Sequence, residues 1–535
     1  MSAYKAPVQE FSFILEELVG YESHSQRPGY EDVGMDMLDA VLPEAAKFFE
    51  QVIAPTNATA DSQGTHIENG EVVTAPVLDG LSDQLVEGGW NGLSGDTAYG
   101  GSGFPGVVDL AVQEMLQSAN MGLSLLPMLT RGVIHALQLY GSNEQKETYL
   151  TNLISGSWSG TMNLTEPQAG SDLSAVQCKA VPNGDHYLVS GQKIYITWGE
   201  HQQTDNIIHL VLARIEGAPE GTKGISMFIV PKNIVNDDGS VGESNNVSCI
   251  SIEEKLGIHA SPTCVMEYDG SVGYLVGEEN RGLNYMFTMM NEARVWVGGQ
   301  GLACASGSLQ GAAQYARDRV QGRPVGMSKE DAKNSTIIDH ADVRRMLMTI
   351  KAYVDAMRYL MYDNQLMLDV EYFGEDEEMK SFGEERCGIL TPITKAWISD
   401  LGVELSNIAI QVYGGMGYVE ETGVAQYLRD ARIAPIYEGT NGIQALDLMF
   451  RKLPLDNGQA MQRLLSDVNK VIEEMKKDDE DIVLMAEKLE KEVNTLSEIT
   501  LWLGSKLLEG ELVDASSGAT PYLKMFGQVL GGYYM

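Results

Sequence analysis

The sequence predicts a multidomain protein in which one β domain lies between two helical regions. Apolar residues follow helical spacing over most of residues 36–158 and again from residue 279 onward. Residues 159–278 instead contain short strand-like runs separated by Gly, Asn and Asp. The 535-residue chain is also too long for one hydrophobic core. Because the strands are gathered in one region and do not alternate with helices, the pattern argues against a Rossmann sheet.

Amphipathic spacing identifies the helical regions. The run MDMLDAVLPEAAKFFEQVI is an example before the β region, and LNYMFTMMNEARVWVGGQGLACASGSLQGAAQYARDRV is an example after it. Further along, apolar residues three or four positions apart recur from Met461 to Met475 and from Met485 to Leu496. These two series predict a pair of amphipathic helices joined by the charged segment KKDDEDI.

The middle region has the alternation of a half-buried strand. The run HYLVSGQKIYITWG alternates and follows Asn183-Gly184, a strong hairpin signal, and NIIHLVLARI, GISMFIVPK, VSCISIEE and CVMEYDG are further strand-like runs. The predicted division is therefore an N-terminal extension (1–35), an N-terminal α domain (36–158), a middle β domain (159–278), a C-terminal helical bundle (279–453) and an additional helical tail (454–535).

Charge and cysteine content exclude several classes of function. Lys and Arg number 37 against 75 Asp and Glu, which gives a net charge of −38 and disfavours binding to nucleic acid or anionic lipid. The five cysteines form no C-x-x-C pair, so neither a zinc site nor a disulfide framework is indicated, and no metal is expected. The first residues lack a signal-peptide pattern and no apolar run is long enough to span a membrane, so we expect a cytoplasmic protein.

Four segments carry glycine, hydroxyl, aromatic or basic residues where a cofactor could bind. Each alone is typical of an ordinary structural junction: a strand-to-turn junction, plain strand packing, a helix C-cap and a glycine-rich turn. Strand alternation places Tyr195 and Thr197 on one face of the second segment. The segments are MNLTEPQAGSD (162–172), IYITWG (194–199), YARDRVQG (315–322) and QVYGGMG (411–417).

A lone carboxylate, Glu438, follows an apolar run in the segment RIAPIYEGTNGIQ (432–444). One interpretation is a helix start, in which Gly439, Thr440 and Asn441 cap a helix that begins near Ile443. The other is a catalytic base, because a carboxylate buried among apolar residues has a raised pKa and accepts protons more readily.

Together and in this order, the five segments resemble the acyl-CoA dehydrogenase family over roughly residues 40 to 450. The resemblance implies the fold of that family, FAD as cofactor and α,β-dehydrogenation of an acyl-CoA thioester to the trans-2-enoyl-CoA, with Glu438 taking the proton and flavin N5 the hydride. The long N-terminal segment and the helical tail look most like the long bacterial subgroup. That subgroup includes dehydrogenases of 3-methylmercaptopropionyl-CoA, so this thioester or another short-chain acyl-CoA is the expected substrate. The family tail usually continues further than this chain does.

The resemblance also implies partners and residue roles. It implies electron-transferring flavoprotein as electron acceptor and a homodimer or homotetramer, since FAD contacts are shared between subunits in the family. FAD contacts are implied for Met162, Leu164, Thr165, Ser171, Tyr195, Thr197, Arg319, Gln321, Gln411, Gly415 and Thr440. Substrate contacts are implied for Ser171, Arg294, Glu438 and Gly439.

One other residue is a candidate for the base, and three other activities are alternatives to acyl-CoA dehydrogenation. Some family members place the base immediately before the arginine that corresponds to Arg294. Here that position is Ala293, and Glu292 lies about 100° away around a helix. The alternatives are an acyl-CoA oxidase, a nitroalkane-oxidase-like enzyme, which would need aspartate at position 438, and a non-enzymatic DNA-associated relative, which the net charge disfavours.

Overall fold

A computed structural model describes residues 4–27, 30 and 32–535 of the chain. It separates into two compact units. The helical unit comprises the described residues up to 40 together with 105–114 and 294–535, and the sheet unit comprises 41–104 and 115–293. The predicted order of helical region, β domain, helical bundle and helical tail is confirmed.

Among the described residues, eight α-helices precede the first strand of the main sheet. Their bounds are α1 Val8–Phe13, α2 Tyr21–His24, α3 Met35–Phe48, α4 Asn57–Gln63, α5 Leu81–Glu87, α6 Gly106–Ala119, α7 Met121–Tyr140 and α8 Asn143–Ser155. The asparagine and serine before α7 and α8 cap them: Asn120 accepts the Leu123 amide and Ser142 accepts the Gln145 amide.

A β-hairpin interrupts this helical region, where helical spacing alone was expected. Strand β1 (His66–Glu68) pairs antiparallel with β2 (Glu71–Val73). The turn residues Asn69 and Gly70 both have positive φ, 53° and 88°, the conformation that an Asn-Gly hairpin turn requires. The Asn-Gly dipeptide in HIENGEVV was the available signal, and the prediction of an N-terminal α domain did not include this hairpin.

The main sheet of the sheet unit has seven strands. Their bounds are β3 Trp158–Asn163, β4 Lys179–Asn183, β5 His186–Thr197, β6 Asn206–Ile215, β7 Ser226–Pro231, β10 Val247–Ile252 and β11 Thr263–Leu275, with a separate pair β8 Asn233–Val235 and β9 Val241–Ser244. The strand order is β10-β11-β5-β4-β6-β3, and β7 pairs with both β11 and β6. The predicted hairpin at Asn183-Gly184 joins β4 to β5. Strands β3 and β7 are both buried along their whole length. Burial on both faces explains why β7 reads as a nearly continuous apolar run.

The helical unit is built around three long helices. The nine helices after the sheet are α9 Gly282–Asp318, α10 Ala341–Phe373, α11 Glu377–Tyr413, α12 Val424–Ala431, α13 Asn441–Asp447, α14 Gln459–Met475, α15 Glu480–Leu508, α16 Leu512–Ser517 and α17 Ala519–Tyr534. The predicted amphipathic tail pair corresponds to α14 and α15, and most of its apolar residues at helical spacing are buried, although Met485 is exposed. Within the described residues, no helix is long and apolar enough to cross a bilayer.

Glycines let α9 and α11 approach closely. A Cβ added at Gly301 would lie 2.7 Å from the Ile398 carbonyl oxygen, and one at Gly402 would lie 2.5 Å from the Gly301 Cα. Side chains larger than hydrogen would therefore force the helices apart. The same two helices carry Arg294, on α9, and Lys395, on α11.

Candidate active site

Glu438 lies in the loop between α12 and α13. Helix α13 begins at Asn441, slightly before the predicted start, and the Thr440 hydroxyl accepts a hydrogen bond from the Ile443 amide at 3.3 Å. The helix-start interpretation is therefore correct for Thr440. Glu438 itself lies outside the helix, before the cap, so capping does not account for its side chain.

The backbone of Glu438 is left-handed, with φ of 55°, and Gly439 follows with φ of 82°. Glycine adopts this conformation freely, whereas a residue with a Cβ loses about 1–2 kcal/mol. Such a conformation persists only where the surroundings enforce it, and it is common at functional sites. The Asn441 amide closes the loop by donating to the Pro435 carbonyl at 3.0 Å.

Side chains from three helices hold the carbonyl groups of this loop. Arg294 Nε donates to the Glu438 carbonyl at 3.4 Å, and Gln444 Nε2 donates to it at 3.2 Å. Lys395 Nζ donates to the Gly439 carbonyl at 2.8 Å. The structure thus brings together the predicted residues Arg294, Glu438, Gly439 and Thr440, and adds Lys395 and Gln444.

Burial and charge act in opposite directions on the carboxyl group. Burial raises the pKa of Glu438 above its usual value of 4.5, although Arg294 and Lys395 both lower it. Burial also lowers the pKa of Arg294, and it lowers the pKa of Lys395 to about 7. Just before Glu438, the Tyr437 hydroxyl donates to the Gln300 side-chain oxygen. A carboxylate of raised pKa, enclosed by neighbours that fix its backbone, is suited to take a proton.

The rival carboxylate Glu292 is engaged elsewhere, in the sheet unit. Its Oε2 lies 2.6 Å from His135 Nδ1. Although burial raises the pKa of Glu292, His135 and Arg131 bring it below the usual value. Glu292 is therefore held as an ion-pair partner, in a state less suited to proton abstraction than that of Glu438.

The first group of predicted flavin contacts surrounds the end of β3 in the sheet unit. Met162 lies within the strand and is buried, while Leu164 and Thr165 follow it and are partly exposed. Only Met162 therefore extends from the strand itself, because β3 ends at Asn163. Ser171 is exposed in the turn beyond them.

Buried Lys193 fixes this turn. Its Nζ donates to the Leu164 carbonyl at 3.0 Å and to Glu166 Oε1 at 2.8 Å. Glu166 also accepts the Gln177 and Cys178 amides at 2.7 and 3.0 Å. Both charged residues lie in the quoted sequence runs, but neither was among the predicted site residues.

Tyr195 and Thr197 lie where β5 is irregular. The pairing of β5 with β11 shifts between Lys193 and Ile196, which forms a bulge, and Tyr195 has φ of 60°. The bulge interrupts the period-2 alternation that was the basis for placing both side chains on one face, so that placement stays a prediction. Tyr195 is 60% exposed and Thr197 partly exposed, on either side of buried Ile196.

The second group of predicted flavin contacts is exposed on the helical unit. Tyr315 near the end of α9 stacks on Tyr413, the last residue of α11, with centroids 4.3 Å apart. Stacking brings the two helix ends together, with Arg319 and Gln321 just beyond one and Gln411 and Gly415 at the other. Within the described part of the chain, the Arg319 guanidinium makes no hydrogen bond or ion pair. An exposed guanidinium of this kind suits a phosphate ligand.

Four family descriptions cover most of the chain. Residues 36–157 match the acyl-CoA dehydrogenase N-terminal domain, 161–271 the middle domain and 280–453 the C-terminal domain. Residues 464–535 match the acetyl-CoA dehydrogenase C-terminal-like domain.

Individual proteins are similar over long stretches. A 3-methylmercaptopropionyl-CoA dehydrogenase of Ruegeria pomeroyi is 47% identical over 461 residues, which cover 86% of this chain and 78% of that protein. The structure of butyryl-CoA dehydrogenase from Megasphaera elsdenii aligns with a TM-score of 0.63 and 28% identity, over 77% of this chain and 97% of that one. A chain from a structure described as the electron transferring flavoprotein of Acidaminococcus fermentans aligns with a TM-score of 0.64 and 27% identity, over 78% and 97%.

Proposed function

The chain belongs to the acyl-CoA dehydrogenase family and oxidises acyl-CoA thioesters with FAD, and we propose that Glu438 is the general base of this reaction. The observation that carries the proposal is the loop of Glu438: a carboxyl of raised pKa on a left-handed backbone, held by Arg294, Gln444 and Lys395. The dehydrogenase names of the similar proteins favour this activity over an oxidase.

The proposed role follows from the chemistry of thioesters. The proton on the carbon next to the thioester carbonyl is far less acidic than a carboxylic acid, so the base must be strengthened and the substrate polarised. Burial strengthens Glu438 by raising its pKa. We propose that the Glu438 amide polarises the thioester carbonyl, together with substrate contacts from Arg294, Gly439 and Ser171.

The exposed residues of both units support the proposed FAD contacts. Tyr195 offers an accessible aromatic face and Thr197 a hydroxyl, while Arg319 offers a guanidinium with no partner in the described part of the chain. When bound, FAD supplies the two-electron acceptor that takes the β-hydrogen as hydride. In this proposal the chain's own contribution is to bind and orient the reactants and to take the α-proton. The proposed set is Met162, Leu164, Thr165, Ser171, Tyr195, Thr197, Arg319, Gln321, Gln411, Gly415 and Thr440.

Substrate, electron acceptor and assembly complete the proposal. Similarity to the Ruegeria enzyme supports 3-methylmercaptopropionyl-CoA or another short-chain acyl-CoA as substrate. Similarity to a chain of an electron transferring flavoprotein structure, together with the family resemblance, supports electron-transferring flavoprotein as acceptor. We further propose a homo-oligomer working in the cytoplasm. Initial rates with methylthio, short straight, long straight, branched and aromatic acyl-CoA thioesters test the substrate, and a preference for aromatic or long chains would contradict it.

The substitution Glu438→Gln tests the base. The variant should retain bound FAD, but anaerobic bleaching of the flavin by acyl-CoA should slow by about 10²–10⁴-fold, as expected for loss of a positioned base. Glu292→Gln is the matched control, since it makes the same chemical change at the rival carboxylate, and it should bleach at the wild-type rate. Unchanged bleaching in Glu438→Gln would end the assignment.

A further inference from the structure

We propose that Lys395 is a positioning residue, whose ammonium group holds the Glu438 loop by two hydrogen bonds and so fixes the direction of the catalytic carboxylate. The inference rests on the proposed role of Glu438. Lys395 is a lone cation among mostly apolar neighbours in the run PITKAWISD on α11. None of the sequence segments with predicted roles includes it.

The contacts of Lys395 bracket the strained part of the loop. Its side chain is fully buried, and Nζ donates to the Gly439 carbonyl and to Asn441 Oδ1, both at 2.8 Å. The side-chain Nδ2 of Asn441 in turn donates to Ser399 Oγ at 3.0 Å and to Asp400 Oδ1 at 2.7 Å. One segment of α11 therefore holds the loop at two points after Glu438, and the left-handed residues cannot relax without breaking these bonds.

Burial of this lysine needs a reason other than stability. Its two hydrogen-bond partners are uncharged, so no contacting carboxylate offsets the loss of hydration of an ammonium group. The charged groups that act on it are Glu438 from the loop, Arg294 from α9 and Asp400 from α11. A cation near Glu438 favours the carboxylate over the acid form. Lys395 therefore both fixes the loop and limits how far burial raises the pKa of the base.

The test compares Lys395→Met, which removes both bonds and the charge, with Lys395→Gln, which keeps a shorter donor without charge. We expect FAD content and the Kd for acyl-CoA to stay within about twofold of wild type, while the bleaching rate of Lys395→Met falls by about 10²-fold, as for a base displaced by roughly 1 Å. The rise of the rate with pH should shift to higher pH in both variants, because loss of the cation raises the pKa of Glu438. Lys395→Gln should retain a larger fraction of the wild-type bleaching rate than Lys395→Met.

Arg386→Met is the control for general damage to α11. Arg386 is a buried cation on the same helix, and it pairs with Asp467 of the tail at 2.5 Å. Its removal should lower thermal stability without changing the bleaching rate or its pH dependence. Should Lys395→Met fail to fold, Lys395→Gln carries the same test through its pH shift.

The single variants distinguish failure of this inference from failure of the proposed function, and a double variant then tests whether Lys395 acts through Glu438. If Glu438→Gln alone keeps its activity, the proposed function fails, and the inference fails with it. If Glu438→Gln is inactive while both Lys395 variants keep the wild-type rate and pH profile, only the Lys395 inference is overturned. Where both hold, adding Lys395→Met to Glu438→Gln should slow the residual bleaching by less than about twofold, since the positioning acts through Glu438.

Discussion

Two regions of the molecule each hold a loop with a buried lysine, but the pKa of the nearby carboxyl group is lowered in one and raised in the other. In the sheet unit Tyr195 has φ of 60°, and buried Lys193 holds the Leu164 carbonyl. In the helical unit Glu438 has φ of 55°, and buried Lys395 holds the Gly439 carbonyl. Each region therefore combines a left-handed residue with a buried lysine that fixes a nearby loop.

The difference lies in what balances each lysine. Lys193 forms an ion pair with Glu166, and although burial raises the pKa of Glu166, Lys193 and two backbone amides bring it below its usual value. Lys395 binds uncharged groups, and burial lowers its pKa to about 7 while it raises that of Glu438. The carboxylate of the first region has a lowered pKa, which suits an ion pair that holds a shape, whereas the carboxyl of the second has a raised pKa, which suits proton transfer.

The largest expected effect of the comparison is on stability in the sheet unit. Lys193→Met leaves Glu166 buried without its cation, which should cost about 3–5 kcal/mol of unfolding free energy. The turn carrying Leu164 should loosen, so the purified variant should also lose FAD. Chemical denaturation and the flavin absorbance measure both effects. Lys179→Met, at an exposed lysine of the same sheet, is the control and should change neither; full stability of Lys193→Met would remove the contrast between the regions.

A smaller effect, of opposite sign, is expected at Glu438. Because the folded-state pKa of Glu438 is raised above its usual 4.5, ionisation of this group opposes folding. Its unfavourable contribution to the free energy of unfolding is absent below the unfolded-state pKa. It grows as pH rises toward the folded-state pKa and is complete above that pKa. Glu438→Gln should therefore have a higher Tm than wild type near pH 8 and an equal Tm near about pH 4. A variant less stable than wild type near pH 8 would show that the carboxylate stabilises the loop.

The smallest effect is expected at Tyr195. Asparagine tolerates the left-handed conformation better than tyrosine, and the ring is 60% exposed, so Tyr195→Asn should raise the unfolding free energy by up to about 1 kcal/mol. The loss of the ring should weaken FAD binding several-fold, measured by titration of the apoprotein. Lower stability in the variant would show that the ring packs in the apoprotein despite its exposure.

Local patterns were sufficient to predict much of the fold. The Asn183-Gly184 turn and the spacing of the tail helices lie within short windows, and the structure confirms them. The bulge at Tyr195 could not be predicted in this way, because it depends on how β5 pairs with β11, a strand far away in the sequence. The hairpin at Asn69-Gly70 had a local signal, which the surrounding helical spacing obscured.

Some residues of the candidate site could likewise be predicted from a local pattern, whereas Lys395 could not. Glu438 and Thr440 stand out in the sequence because their neighbours are apolar or glycine. Lys395 lies on α11, 43 positions before Glu438 in the sequence. It reaches the Gly439 carbonyl only because the chain folds back after α12 and brings the Glu438 loop against α11. Its role depends on tertiary contacts, which spacing within one segment cannot show.

Exchange of the α-proton tests the role of Glu438 most directly. An acyl-CoA without β-hydrogens, such as 3,3-dimethylbutanoyl-CoA, cannot be dehydrogenated, so only proton removal and return occur. In D₂O, the wild-type holoenzyme should incorporate deuterium next to the thioester carbonyl, measured by mass spectrometry, and Glu438→Gln with the same FAD content should not. Equal rates of incorporation in the two proteins would contradict the account.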